Sequence, residues 1–230
     1  MESEKHSRLG EFELIDWIRR QAGTANHLLL GIGDDCAVQR QQDGLELLTT
    51  TDLLIEAIHF NTAWTSFYWL GRKAAAVNLS DIAAMGGRPE SLFLAVGRPG
   101  ALGDSELQEL LSCFLFETQL QGAVLAGGDC CASPGPLFLA VTAQGGIAEG
   151  QAVYRQGAKG GDAIYVSGSL GDSALALREL QAGRPPEETL AARFHTPTPR
   201  VELGQFLAQQ QLASAMLDIS SAWEAFCWTT

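Results

Sequence analysis

The chain is 230 residues long, 46% apolar and 18% charged, which is enough for one large domain or two small ones and excludes a disordered chain. Its 27 acidic and 15 basic side chains leave a formal charge of −12, so a nucleic-acid backbone or an anionic membrane surface is a poor partner. An acidic protein that binds phosphates has to recruit metal cations or use backbone N–H groups.

Helix and strand signals alternate along the chain. Phe12, Ile15 and Ile18 share a stripe that predicts a helix over 11–22, with Gly23 as its C-cap. Residues 28–32 predict a short buried strand ending in Gly33-Asp34-Asp35, and 45–51 a second strand running into Asp52. The alanine-rich stretch 71–85 predicts a helix packed closely on its neighbours and closed by Gly86-Gly87. A strand follows over 91–97. Leu107, Leu110, Leu111, Phe114 and Leu115 then give the clearest helical spacing, over 105–121, with Asp104 as N-cap and Gly122 at the end. Strands are expected over 123–126 and 137–143, and the turn at Gly145-Gly146 puts a domain boundary near residue 148. The second domain, 149–230, is expected to hold strands over 163–167 and 213–219 and helices over 172–182 and 199–210.

The opening residues 1–6 are charged and lack the apolar stretch of a secretory signal. No apolar run approaches the roughly 20 residues that cross a bilayer. Cys36, Cys113, Cys130, Cys131 and Cys227 form no C-x-x-C pair, and a reducing cytoplasm is the expected compartment. The vicinal pair Cys130-Cys131 is poorly placed to chelate one ion.

One pattern recurs. An apolar segment ends in Gly, Ser or Thr and then an aspartate: GIGDD at 31–35, TTTD at 49–52, NLSD at 78–81, GGD at 127–129 and MLDIS at 216–220. Any one of these aspartates is adequately explained as a helix cap or a turn residue. Five together, converging on one cleft, would repel one another, and divalent cations remove that repulsion. Asp35, Asp52, Asp81, Asp129 and Asp218 are therefore candidate Mg²⁺ ligands, with Thr50, Thr51 and Ser220 as further oxygen donors. Gly127 and Gly128 either let backbone N–H groups approach a phosphate or make a plain tight turn. No G-x-x-x-x-G-K-[ST] is present, so phosphoryl transfer here would rely on metal clamps instead of a P-loop lysine. His59 is either a ligand contact or a histidine satisfied by the backbone. Arg155 is either a nucleotide contact or a surface arginine.

The segments GEFELIDWI, GIGDDCAV, TTTDLLIEAIHF, KAAAVNLSDIAAMGGRPE, LAGGDCC, VYRQGAKGGDAIYVSGSLGDSA and HTPTPRVELG resemble, in this order, the thiamine-monophosphate kinase family. The resemblance runs from about Gly10 to Ser220. It implies an α/β (α+β) two-domain fold like that of aminoimidazole ribonucleotide synthetase, in which N-terminal sheets of two subunits join into a barrel and make a homodimer. It also implies transfer of the ATP γ-phosphoryl group to thiamine monophosphate by in-line attack, with several Mg²⁺ ions. Carried over by motif, Asp35, Asp52, Asp81, Asp129 and Asp218 are metal ligands beside Thr50 and Thr51. Gly128, Asp129, Arg155 and Ser220 contact the nucleotide, and His59 the substrate. No residue is assigned as acid, base or nucleophile, because the acceptor phosphate arrives already ionised.

The resemblance fails at the end. The family pattern D-[IL]-S-D-G-L is here Asp218-Ile219-Ser220-Ser221-Ala222 and stops at Thr230. The second domain is therefore expected to be incomplete after about Ser220. The alternative to an active kinase is a catalytically impaired homologue that binds Mg-nucleotide and dimerises.

Overall fold

The computed structural model describes residues 10–219; Ser220 and the apolar tail residues lie outside them. In chain order the elements are α1 (Glu11–Gln21), β1 (Leu28–Leu30), β2 (Ala37–Arg40), β3 (Leu45–Ile55), α2 (Phe67–Ala84), β4 (Arg88–Pro99), α3 (Asp104–Leu120), β5 (Val124–Ser133), β6 (Phe138–Ala148), α4 (Asp172–Gln181), α5 (Glu188–His195) and α6 (Val201–Gln209). The six strands form one sheet in the order β1-β2-β3-β6-β4-β5. Only β4 and β5 pair in parallel, and α3 is the crossover between them, as a parallel pair requires.

Side-chain alternation gives the sheet two different faces. On β3, Leu48 and Leu54 are buried while Leu45, Thr51 and Leu53 are exposed. On β6, Leu139, Val141, Ala143 and Ile147 are buried. The covered face lies under α2, whose glycine and alanines let the backbones come close. A Cβ built on Gly71 would stand 2.1 Å from the Leu110 carbonyl oxygen of α3, and one on Gly204 of α6 would stand 2.0 Å from the Ala83 carbonyl oxygen. Small residues at both crossings thus clamp α2 between α3 and α6. Arg72 adds a charged strap, donating from Nε and Nη2 to Glu117 Oε2 at 2.8 and 2.7 Å.

Several expectations need correction. β3 does not stop before Asp52 but continues to Ile55, because Leu53 to Ile55 find partners in Phe138 to Ala140 of β6. Gly127 and Gly128 make no turn; they lie inside edge strand β5, next to a register shift against β4. A Cβ at Gly128 would meet the Leu94 carbonyl oxygen at 1.9 Å, so the backbone of β4 excludes a side chain there. The α3 N-cap is Gly103, whose N–H donates to Glu106 Oε2 at 2.8 Å, and Asp104 pairs with Arg98 at 2.7 Å instead. Residues 163–167 and 213–219 form no strand. Ile164 and Tyr165 are 94% and 89% exposed, and an apolar run becomes a strand only beside a partner whose backbone can pair with it. Strand β2 and helix α5 were not anticipated.

The close α2–α3 approach yields a prediction. Gly71→Ala should destabilise the protein by about 2 kcal/mol or more, because backbone atoms must move to admit the methyl group. Gly23→Ala, with no atom within 4 Å of the added carbon, should change stability by less than about 1 kcal/mol. Urea unfolding of the two variants measures the contrast.

Candidate functional site

Three segments distant in sequence deliver carboxylates to one place. The turn after β1 carries Asp34 and Asp35, and is fastened to the end of α2 by the Cys36 N–H, which donates to Met85 Sδ at 3.2 Å. The last turn of α2 carries Asp81. The segment after α6 carries Asp218. It lies beside residues 154–157, with the Met216 N–H donating to the Tyr154 carbonyl at 3.2 Å and Gly157 passing close against Ser214. Asp35, Asp81 and Asp218 each offer a carboxylate oxygen, all within 4.8 Å of one another. The three residues are only 6%, 8% and 9% exposed.

The electrostatics follow from that geometry. Burial pushes the Asp81 carboxyl up to about 9; the neighbouring Asp218 charge adds to this, and a hydrogen bond from Thr50 Oγ1 at 2.6 Å opposes it. Asp35 is raised chiefly by burial, against the hydrogen bond from Arg155. Asp52 is raised by burial and then by Asp218. The Cys36 thiol, buried among these acids, is pushed far up and stays protonated. Arg155 Nε donates to Asp35 Oδ1 at 3.1 Å, its Nη2 reaches the same oxygen, and its backbone N–H donates to both oxygens of Asp34, at 3.0 Å to Oδ2. Asp35 Oδ2 is buried with no hydrogen-bond partner. An orphaned carboxylate oxygen beside two further carboxylates is the donor set of a hard divalent cation.

The structure sorts the candidate residues. Asp35, Asp81, Asp218 and Thr50 come together, with Asp52 close enough to feel the Asp218 charge. Thr51 sits on the opposite face of β3, where its hydroxyl meets the Val141 carbonyl at 3.0 Å and Thr142 Oγ1 at 3.1 Å. Asp129 is exposed and outside the three-acid group. Asp52, Val141, Leu94 and Gly128 face one another across β3, β6, β4 and β5, so Asp129 lies roughly 14 Å across the sheet from Asp52. His59 Nδ1 accepts the Ile55 N–H at 3.0 Å, and burial lowers its pKa while Asp52 opposes. Arg155 is drawn to the acids, and Ser220 lies outside the described residues.

Two participants were missed. Asp34 orients Arg155. Asn78, fully buried, donates from Nδ2 to the Ala74 carbonyl at 3.0 Å and leaves its Oδ1 without a partner. Asn78 lies one helical turn before Asp81, so its i,i+3 spacing was the signal available in the sequence.

Comparison with known proteins fits this geometry. Residues 33–147 match the family described as AIR synthase related protein, N-terminal domain. Over 217 residues the chain is 36% identical to a thiamine-monophosphate kinase of Haemophilus influenzae, covering 92% of this chain and 64% of that protein. Over 218 residues it is 32% identical to the Bacillus subtilis protein of the same name, covering 92% and 67%. A solved structure described as AaThiL complexed with AMPPCP and TMP superposes with a TM-score of 0.79 at 31% identity, covering 90% of this chain and 66% of that one. The chain thus spans about two thirds of the length of these relatives, and by sequence and fold it belongs to the thiamine-monophosphate kinase family of AIR synthase-related proteins.

Proposed function

We propose that the chain performs, or supplies the nucleotide-binding part of, ATP-dependent phosphorylation of thiamine monophosphate to thiamine diphosphate. The observation that carries this reading is the buried triad Asp35, Asp81 and Asp218 with an unmet oxygen on Asp35. It sits where the GIGDD, NLSD and MLDIS segments meet.

An oxygen of the acceptor phosphate attacks the γ-phosphorus of ATP while the bond to the β,γ-bridging oxygen breaks, leaving ADP. The acceptor needs no general base, and the residues supply placement. Asp35, Asp81, Asp218, Asp52 and Thr50 would hold Mg²⁺, with the Thr51 carbonyl as a further donor. Bound Mg²⁺ would neutralise the repulsion between two phosphorylated reactants. Arg155, anchored by Asp34 and Asp35, presents a guanidinium at the rim of the acids for the nucleotide, with Gly128 and Ser220 as its other contacts. His59, held by the Ile55 N–H, is assigned to thiamine monophosphate. On this reading residues 1–148 are the Mg-ATP-binding and dimerisation domain, and 149–230 a second domain that supplies Arg155 and Asp218 to the site. The open sheet face, with Leu53, Phe93 and Val124 at 48%, 38% and 57% exposure, would be covered by a second copy in a homodimer.

Steady-state conversion of thiamine monophosphate, followed by formation of thiamine diphosphate, tests the activity. Formation dependent on Mg²⁺ is expected. Saturable Mg-ATP binding with no product would reduce the chain to a nucleotide-binding homologue.

Asp81→Asn tests the site. It should abolish Mg²⁺-dependent ATP binding with the fold retained, and unchanged affinity would remove Asp81 from the metal set. The folded protein holds the Asp81 carboxyl near 9, above its ordinary 3.8. Its contribution to stability is therefore complete below about pH 4 and is lost progressively as the pH rises towards 9. In EDTA the wild-type melting temperature should fall across that window more than that of Asp81→Asn; parallel profiles would contradict the assignment.

A further inference from the structure

The buried acids Asp35, Asp81 and Asp218 come from three segments, and one short stretch of chain touches all of them. The Val153 N–H donates to the Met85 carbonyl at 3.2 Å, at the end of α2, which carries Asp81. The Tyr154 carbonyl receives the Met216 N–H at 3.2 Å, from the segment that carries Asp218. Arg155 reaches the turn that carries Asp34 and Asp35. Residues 153–155 thus form a strap across the site, although none of them is an acid.

At Arg155 the strap closes a ring. Both Asp34 oxygens accept the Arg155 N–H, at 3.3 and 3.0 Å, and Asp34 Oδ1 also accepts the Asp35 N–H at 2.9 Å. The guanidinium then returns to Asp35. A guanidinium fork often spends its two donors on both oxygens of a carboxylate. Here Nε, at 3.1 Å, and Nη2 both donate to Oδ1, and Oδ2 is left buried and unmet. The Asp35 side chain is fully buried, while that of Arg155 is partly exposed. A carboxylate turns readily about its last torsion, so a contact that holds one oxygen decides where the other points.

We propose that Arg155 is a positioning residue for the cation: anchored by Asp34, it grips Asp35 by Oδ1 and so keeps Oδ2 for the metal. This role rests on the kinase reading of the triad as a Mg²⁺ site and goes beyond it, because Arg155 then has a task before any nucleotide arrives. Partners behind a metal ligand fix its orientation, and losing one costs about 10- to 100-fold in metal affinity. Charge alone predicts the reverse, since removing a cation from beside the acids strengthens their hold on another cation. A residue that only touches nucleotide would leave the metal affinity of the nucleotide-free chain no weaker. The sign of the change separates these roles.

Titration of the full chain with Mn²⁺ in place of Mg²⁺, without nucleotide, followed by electron paramagnetic resonance, reads both the affinity and the symmetry of the bound ion. The wild type should bind saturably. Arg155→Met should bind about tenfold more weakly or worse, and the spectrum of the bound ion should change because one ligand is no longer fixed. Asp34→Asn and Asp34→Ala remove the same charge, but only asparagine keeps an oxygen for the Arg155 N–H. Asp34→Asn should therefore bind Mn²⁺ about threefold or more tighter than Asp34→Ala, and this pair decides the matter if Arg155→Met does not fold. Unchanged or tighter binding in Arg155→Met overturns the proposal, as does equal binding in the two Asp34 variants. Asp81→Asn tells the two failures apart. If it binds Mn²⁺ as well as the wild type does, or if the wild type shows no saturable binding, the triad is not the metal site and both readings fall. If Asp81→Asn loses Mn²⁺ while Arg155→Met keeps it, only the positioning role falls.

Discussion

Negative charge held out of water is the constraint around which this structure is built. Three carboxylates within 4.8 Å of one another cannot all ionise in a dry pocket without a cation. The protein nevertheless holds them rigidly there. The Cys36 N–H ties one acid-bearing turn to Met85, the last turn of α2 carries the second acid, and the Met216–Tyr154 hydrogen bond sets the third. Arg155 relieves one oxygen of Asp35 and Thr50 one oxygen of Asp81, which leaves the cluster under-neutralised. Such an arrangement stabilises a bound cation far more than it stabilises the empty fold.

Helix α2 makes this possible. Its small residues let α3 and α6 approach within backbone contact, so it is locked on three sides: by the sheet beneath, by α3 through Gly71, and by α6 through Gly204. A helix so clamped holds Asp81 in place, and burial first, with the Asp218 charge after it, raises its carboxyl pKa. The close packing of an alanine-rich helix and the electrostatics of the site are one design read at two levels.

The sequence made some of this legible and hid the rest for identifiable reasons. The α2 and α3 helices and the cores of β3, β4 and β6 could be read from period and composition. Their buried residues define them, and local pattern and tertiary packing agree. Asp35, Asp81 and Asp218 were identified because a small residue before an aspartate at the end of an apolar run marks a point where chain direction changes. The same rule put Asp52 and Asp129 at strand ends, whereas both lie inside strands. There the apolar run continues or pairs beyond the acid, and only the sheet register reveals it. Thr51 shows the limit of spacing arguments most clearly: one residue from Thr50, it faces the other side of β3. Residues 163–167 have the composition of a strand, but strand formation needs a neighbour, and no property of the segment itself records whether one is present.

Asp81 and Lys73 are eight residues apart on α2. That spacing corresponds to about 12 Å along the axis and a rotation of about 80°. The lysine therefore cannot neutralise the acids, although it belongs to the same clamped helix. Nearer its start the helix sets the Lys73 ammonium 4.1 Å from the centre of the Phe194 ring of α5, a cation–π contact that holds the charge away from the acids.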